Sequence, residues 1–392
     1  MLFNKNSVTL VTLFVLLACA AAANAVTLTV ASKSIKAQQQ PLSVLAADSQ
    51  PIQALVSDLN DGPFVFKDND KLTALWVCNG EKVTQYFDPQ TLPLVLAYCQ
   101  EPVTLDRSHF LEQTVLEYQG DFSVAASSDF HGQYQLMLRL LKNNNIVDQQ
   151  GHWSFGNGHF VITGDVFDRG DKVTEILWFL YRLEQEAEQA GGKLHLLLGN
   201  HEVMVLNGDL RYVHDKYLHV SKRLNIAYQQ LYGKGTVLGD WLRTKAVLVK
   251  INNMLFTHGG FHPSLVTEQR SLQAINQVFK ANLVKAELTT PRSGWSEYLH
   301  KRNGPIWYRG YFKGSESDKG ASAAEIALLL KHFDVEHLVV GHTSQSQVTT
   351  RYQGKVIAID SSIKHGQYGE LLLVKGRQKW RGSLSGKPLV LE

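Results

Sequence analysis

The segment His159-Phe-Val-Ile-Thr-Gly-Asp165-Val-Phe-Asp168-Arg169-Gly170 joins a buried-strand pattern to a cluster of charge. Phe160 to Thr163 is a short apolar run of the kind a covered β-strand makes. It leads directly into a Gly-Asp turn, a second Asp, an Arg and another Gly. Two carboxylates and a guanidinium at the end of a buried strand are costly unless something balances them. A cation suits the carboxylates and an oxyanion such as phosphate suits the arginine. Four other segments repeat the pattern. Phe122–Ser127 runs into Asp129-Phe-His131-Gly132, Lys193–Leu198 into Gly199-Asn200-His201-Glu202, Met254–Thr257 into His258-Gly-Gly260, and His337–Val340 into Gly341-His342-Thr343. Strands that deliver Asp, Asn or His at their carboxyl ends are how open α/β sheets build sites.

Outward from these strands the pattern alternates strand and helix, then finishes antiparallel. Helices are expected over Tyr134–Lys142, Lys172–Gln189, Leu265–Ala286 and Ser322–Phe333, and an insertion of helical texture over 208–232. Hairpins are expected around Asn252-Asn253, around Gln353-Gly354, and around Gly156-Asn-Gly158 between Trp153–Phe155 and His159–Thr163. A final strand is expected over Glu370–Lys375. The fold class is α/β, with mixed sheets flanked by helices. Residues 55–115 read as a small, mainly β module with an Asn79-Gly80 hairpin, ahead of a catalytic domain over 120–392.

The chain has 392 residues, 44% of them hydrophobic, enough for a sizeable core. Lys+Arg 39 against Asp+Glu 36 leaves little net charge, which argues against a nucleic-acid or polybasic membrane partner. Residues 1–25 have the form of a secretory signal: Lys5, an apolar run from Val8 to Ala23, and Ala23-Asn-Ala25 for cleavage. A competing lipoprotein reading at Leu16-Leu-Ala-Cys19 meets a bulky Leu17. Export to the periplasm, or secretion, is therefore expected, with 26–54 as a flexible leader and no stable membrane insertion. Removal of Cys19 with the signal leaves Cys78 and Cys99, either as a disulfide closing about 20 residues or as two separate buried thiols.

Asp129 and His131 stand two apart on an extended segment, so both side chains point the same way. Asp165 can bridge two ions through its two oxygens, while Asn200, His258 and His342 are neutral ligands for a second. Two divalent or trivalent ions (Mn, Fe, Zn, Co, Mg or Ca) about 3.5–4 Å apart would polarise a phosphoryl group. Arg169 can bind a phosphoryl oxygen, and His201, beside Asn200, can protonate a leaving oxygen with Asp168 to hold it. Phe167, Trp307, Tyr308 and Phe312 neighbour these residues and could wall a slot for an aromatic leaving group. Taken singly, plainer readings stand: Asp129, Asn200 and Glu202 as helix caps, His258 and His342 as structural histidines, Asp168–Arg169 as a surface pair. His152, His159, His214 and His219 read as solvated, His262 as packing, and Lys364 and His365 as a loop near the site.

Asp129-x-His131-Gly, Gly164-Asp165-x-x-Asp168-Arg169-Gly, Gly199-Asn200-His201-Glu202, His258-Gly-Gly and Gly341-His342 together resemble the metallophosphoesterase signature. The Gly-Asp-x-x-Asp-Arg-Gly and His-Gly-Gly forms resemble its phosphoprotein-phosphatase branch. Gly304-Pro-Ile-Trp307-Tyr308-Arg309-Gly310 further resembles the bacterial Shewanella-like protein phosphatases. The resemblance covers residues 120–365. It implies a β-sandwich flanked by helices and a dinuclear centre, with Asp129, His131 and Asp165 on one metal and Asp165, Asn200, His258 and His342 on the other. It implies a metal-bridging hydroxide attacking phosphorus, His201 as general acid oriented by Asp168, and Arg169 and Arg309 on the phosphate. The implied substrate is a phosphoprotein or phosphopeptide, with phosphotyrosine favoured. Ser128 and Leu198 depart from the usual Gly and Arg of the pattern. The toxin-binding loop of eukaryotic relatives has no counterpart, so insensitivity to those toxins is expected. Two other readings stay open: a dinucleoside-polyphosphate hydrolase or nucleotidase on the same metals, and a non-catalytic binding module that keeps metals for structure.

Overall fold

Near-continuous apolar strands dictate two sheets covered on both faces. The computed structural model describes residues 58–391 apart from 69, 106–113 and 314–319. The expected signal (1–25) and leader (26–54) lie outside the described residues.

An antiparallel meander comes first: β1 (Asp61–Asp68), β2 (Lys71–Cys78) and β3 (Glu81–Phe87). Asn79 and Gly80 turn β2 into β3 with φ of 48° and 77°, the left-handed pair a tight hairpin requires. A short ribbon follows, β4 (Leu94–Leu96) with β5 (Val103–Leu105). β4 ends at Leu96, and Cys99 beyond it is joined to Cys78 in a disulfide with Cα atoms 5.7 Å apart.

The first large sheet has β7 (Val124–Ser127), β8 (His159–Ile162) and β9 (Lys193–Leu196) in parallel. Antiparallel β15 (Leu371–Lys375), β16 (Gln378–Gly382) and β17 (Pro388–Val390) extend it beyond β7. The second runs β13 (Thr349–Arg351), β14 (Val356–Ala358), β12 (His337–Val340), β11 (Met254–Thr257), β10 (Leu248–Ile251), β6 (Glu117–Tyr118), with β11, β12 and β14 mutually parallel. The hairpins at 252–253 and 353–354 form as expected. The one around Gly156–Gly158 does not. β8 gives one edge to β7 and the other to β9, leaving no edge for Trp153–Phe155, and Trp153 bridges to Val147 instead.

The helices are α1 (Tyr134–Asn143), α2 (Val173–Gln189), α3 (Asn200–Leu206), α4 (Asp215–Leu224), α5 (Val237–Thr244), α6 (Ser264–Thr267), α7 (Leu272–Ala281), α8 (Gly294–Leu299) and α9 (Ala323–Phe333). The single helix expected over 265–286 is broken. Gln269 takes a left-handed φ of 50° and Ser271 Oγ caps α7 by accepting from the Ala274 N–H at 3.1 Å.

The N-terminal sheet is seated on the insertion. Tyr217, Val220 and Leu224 of α4 are buried at helical spacing, and α4 packs against β2 and β3. Phe66 bridges to Thr236, the Lys67 N–H donates to the Gly235 carbonyl (2.7 Å), and Trp178 Nε1 of α2 donates to the Pro63 carbonyl (2.9 Å).

Candidate metal centre and comparison with known proteins

The loops after β7, β8 and β9 meet those after β11 and β12 where the two sheets' carboxyl ends converge. Six non-glycine residues here hold left-handed backbones: Asp129, His131, Asp165, Asp168, Arg169 and His342. Each such conformation costs on the order of 1–3 kcal/mol, and it persists because backbone bonds fix it. The Asp129 N–H donates to the Gly164 carbonyl (3.0 Å), His131 N–H to Asp165 (2.9 Å), and Gly170 N–H to His131 (2.9 Å). The glycines of Gly-Asp and Gly-Asn are needed for close passage. A Cβ on Gly164 would lie 2.3 Å from the Gly199 nitrogen, and one on Gly199 the same distance from Asp165 Oδ1.

Glu202 locks this crossing, a role its sequence reading as a cap did not include. Its buried carboxylate accepts from the N–H groups of Gly199 (2.7 Å), Asp165 (2.8 Å) and Val166 (2.7 Å). Burial is the largest influence and raises its pKa, with Asp165 adding to the effect. Ser128 is more than a tolerated departure: its Oγ donates to Asp129 Oδ2 at 2.5 Å and accepts from Thr163 Oγ1 at 2.7 Å.

Asp165 Oδ2 is the focus of the cluster. His258 Nε2 lies 3.1 Å away, and His131 Nε2 and His201 Nε2 each 3.7 Å. Asp129 Oδ1 is 3.7 Å from His131 Nε2. His131 and His258 each turn Nδ1 to a backbone carbonyl, of Phe167 (2.7 Å) and Thr163 (3.0 Å), which leaves Nε2 for the cluster. Asn200 Oδ1 and His342 Nδ1 stand 2.9 and 3.0 Å from His258 Nε2. All six candidate ligands are buried and brought together.

Burial alone would raise the acids. The histidines nevertheless hold Asp129 down at about 2 and Asp165 well below the usual carboxylate range. Burial opposes charge on His258 as well, but the adjacent Asp165, with Asp129 and Glu202, pushes it up to about 9. His342 is driven well below the imidazole range by burial, His258 and Arg309.

The donor set fits metal ions. Asp165 Oδ2, Asn200 Oδ1, His258 Nε2 and His342 Nδ1 crowd together as lone-pair atoms, and one proton on His258 cannot satisfy the other three. Two groups lie close enough to share an ion, His131–Asp165–His201 and Asp165–His258–His342. There is no thiolate in the set, so hard or borderline cations suit it.

Around this cluster, His201 Nδ1 lies 2.5 Å from Asp168 Oδ2. Arg309 Nη1 donates to the His342 carbonyl (2.9 Å) and Thr343 Oγ1 (3.1 Å). Arg169 is exposed and lies over the ring of Tyr212 at 5.2 Å. Tyr212, in the loop before α4, lies in the insertion read over 208–232 and carried no role of its own in the sequence. It is 44% exposed, its ring is 5.3 Å from that of His201, and its carbonyl accepts from the Arg169 N–H at 2.9 Å. No motif marks it; its position depends on the insertion folding back.

Of the aromatic wall, only Trp307 meets the site, edge-on to His342 at 5.8 Å. Phe167 and Tyr308 are buried, and Phe312 lies beneath Arg351. His159, expected to be solvated, is buried: it stacks on Phe122 at 3.9 Å and contacts His195 through Nδ1 at 2.9 Å. His152 is exposed and pairs with Glu186 at 2.8 Å, and His214 and His219 are exposed. His262 packs against Tyr308, and Lys364 donates to Ser344 Oγ at 2.5 Å.

Residues 122–346 match the calcineurin-like phosphoesterase family. The chain belongs to that family. It is similar to the crystal structure of a cold-active protein-tyrosine phosphatase of a psychrophilic Shewanella species: 42% identity, TM-score 0.79, covering 85% of this chain and 99% of that one. Shewanella-like protein phosphatase 1 of Plasmodium berghei is 27% identical over 243 residues, 62% of this chain and 66% of the relative. Shewanella-like protein phosphatase 2 of Arabidopsis thaliana is 41% identical over 95 residues, 24% of each. This calcineurin-like phosphoesterase is thus a phosphatase with the mixed α/β fold of its family, and that family works with divalent metal ions. Among the described residues no helix is long and apolar enough to cross a membrane.

Proposed function

We propose that the protein is an exported phosphomonoesterase acting on phosphoprotein, with phosphotyrosine preferred. The observation that carries this reading is the arrangement around Asp165 Oδ2: six ligand side chains, His201 facing the same point through Nε2, and Arg309 at the rim. Metal ions bound there would neutralise phosphoryl charge and activate water. Asp129, His131 and Asp165 would hold one ion, and Asp165, Asn200, His258 and His342 the other.

The remaining chemistry belongs to the chain. Arg169 and Arg309 bind the phosphoryl oxygens from two sides and balance charge that builds in the transition state. Asp168 keeps the Nδ1 proton of His201 in place, so Nε2 can give its proton to the leaving oxygen. Burial works against the imidazolium, yet Asp165 and Asp168 raise the pKa of His201, which supports its role as an acid. The tyrosine preference is supported by the similarity to the Shewanella phosphatase and by Tyr212 and Trp307, which offer rings on the His201 and His342 sides. Export is supported by the signal-like residues 1–25 and by the Cys78–Cys99 disulfide.

A panel of phosphotyrosyl peptide, phosphoseryl peptide and diadenosine tetraphosphate tests the assignment. The phosphotyrosyl peptide should have the highest kcat/KM, and Asp165→Asn should abolish its turnover. Faster hydrolysis of diadenosine tetraphosphate would instead make the protein a dinucleoside-polyphosphate hydrolase.

A further inference from the structure

A cavity of about 1170 Å³ opens beside the candidate metal centre and shares Trp307 and Arg309 with it. Small-molecule sites occupy about 300–1,000 Å³, so this space exceeds what a phosphorylated side chain alone would need. Pro263, Trp307 and Tyr308 give it an apolar lining. Lys301 and Arg302, just after α8, add two cations that the proposed chemistry does not use. Both are exposed. The Lys301 ammonium is 3.4 Å from Glu297, with the two side chains 70% and 50% exposed, so this pair is weak and easily exchanged.

Negative charge is scarce among the described residues of this wall. Glu325 is the one carboxylate among the described lining residues, and its Oε2 is already engaged at the start of α9, accepting from the Ser322 N–H (2.7 Å) and Oγ (2.9 Å). His262 and His300 also line the cavity. Burial lowers both, His300 to about 4, so neither contributes charge at neutral pH. Among the described residues the wall is therefore locally cationic, although the chain's formal net charge is only +3.

We propose that this cleft receives the polypeptide flanking the phosphorylated residue and selects acidic side chains there. The proposal rests on the phosphoprotein reading above and adds a sequence preference to it. An extended peptide with its phosphate between Arg169 and Arg309 lays its neighbouring residues along Trp307 and Pro263. Carboxylates at those positions then meet Lys301 and Arg302. The size of the cleft and its apolar lining favour a peptide over a compact polyphosphate.

The test uses two phosphotyrosyl peptides identical except for three flanking residues, Asp/Glu in one and Asn/Gln in the other. Para-nitrophenyl phosphate and diadenosine tetraphosphate serve as substrates without a peptide flank. Wild type should favour the acidic peptide by about tenfold in kcat/KM, an advantage that shrinks as salt rises. The double variant Lys301→Glu/Arg302→Glu should reverse the order while turning over para-nitrophenyl phosphate as wild type does. Equal kcat/KM for the two peptides in wild type, or a preference that survives charge reversal, overturns the proposal and leaves the phosphoprotein reading intact. Failure to hydrolyse either peptide while para-nitrophenyl phosphate is consumed removes that reading and the proposal with it. If the double variant loses only diadenosine tetraphosphate turnover, the cleft is a nucleotide site and the proposal falls.

Discussion

Asp165 is the side chain on which the candidate centre converges. Oδ1 accepts from the His201 N–H at 3.0 Å while Oδ2 faces three imidazoles. Its aim depends on Glu202, whose two oxygens take N–H groups from both loops that cross there. Glu202→Gln replaces one acceptor oxygen with an NH₂ group and leaves buried N–H groups unpaired. Urea denaturation should show a loss of about 1–3 kcal/mol, accompanied by a fall in kcat. A variant as stable and active as wild type would remove Glu202 from the account. His201 makes a separate prediction. A phenol leaves with a pKa near 10 and needs protonation less than a serine alkoxide does, so His201→Asn should slow phosphoseryl turnover more than phosphotyrosyl turnover. Equal losses would argue that His201 is not the acid.

At the scale of elements, the N-terminal sheet backs the Asp165–Arg169 loop. Phe64 of β1 meets Tyr232 at 6.1 Å, and Tyr232 meets Phe167, in the loop between Asp165 and Asp168, at 4.9 Å. Lys216 of α4 reaches both Asp61 of β1 (3.4 Å) and the Asp171 carbonyl just beyond Arg169 (2.8 Å). Phe64→Ala should cost about 3–5 kcal/mol in unfolding free energy and lower kcat even where the chain remains folded. Unchanged kcat in a folded Phe64→Ala chain would separate the sheet from catalysis. The strands that end in Asp, Asn or His were legible in the sequence because each couples an apolar run to residues a buried turn rarely tolerates. The Gly156–Gly158 hairpin was misread because turn chemistry is local, whereas the claim of β7 and β9 on β8 is not. The contact of Tyr212 with His201 and the buried state of His159 were illegible for the same reason. His159 faces His195 only through the register of two parallel strands, which nothing in either segment specifies.

For the whole molecule, that His159–His195 pair ties stability to pH. Burial lowers both pKa values, His159 to about 4 and His195 well below its usual value. The unfolded chain binds these protons near pH 6.5 and the folded chain does not, so their stabilising contribution is complete above about pH 6.5 and is lost as pH falls toward 4. Thermal unfolding midpoints should fall across that window, and less steeply in a His159→Gln/His195→Gln variant. Identical slopes would assign the acid sensitivity to other groups. Loops from both large sheets supply the candidate ligands, so residues from Asp129 to His342 must serve one centre. Metal content per chain tests this most directly, measured by elemental analysis after saturation with manganese and removal of the excess. Wild type should hold two ions and Asp165→Asn fewer than one, because both ions depend on the same carboxylate. Two ions retained by Asp165→Asn would contradict a shared centre.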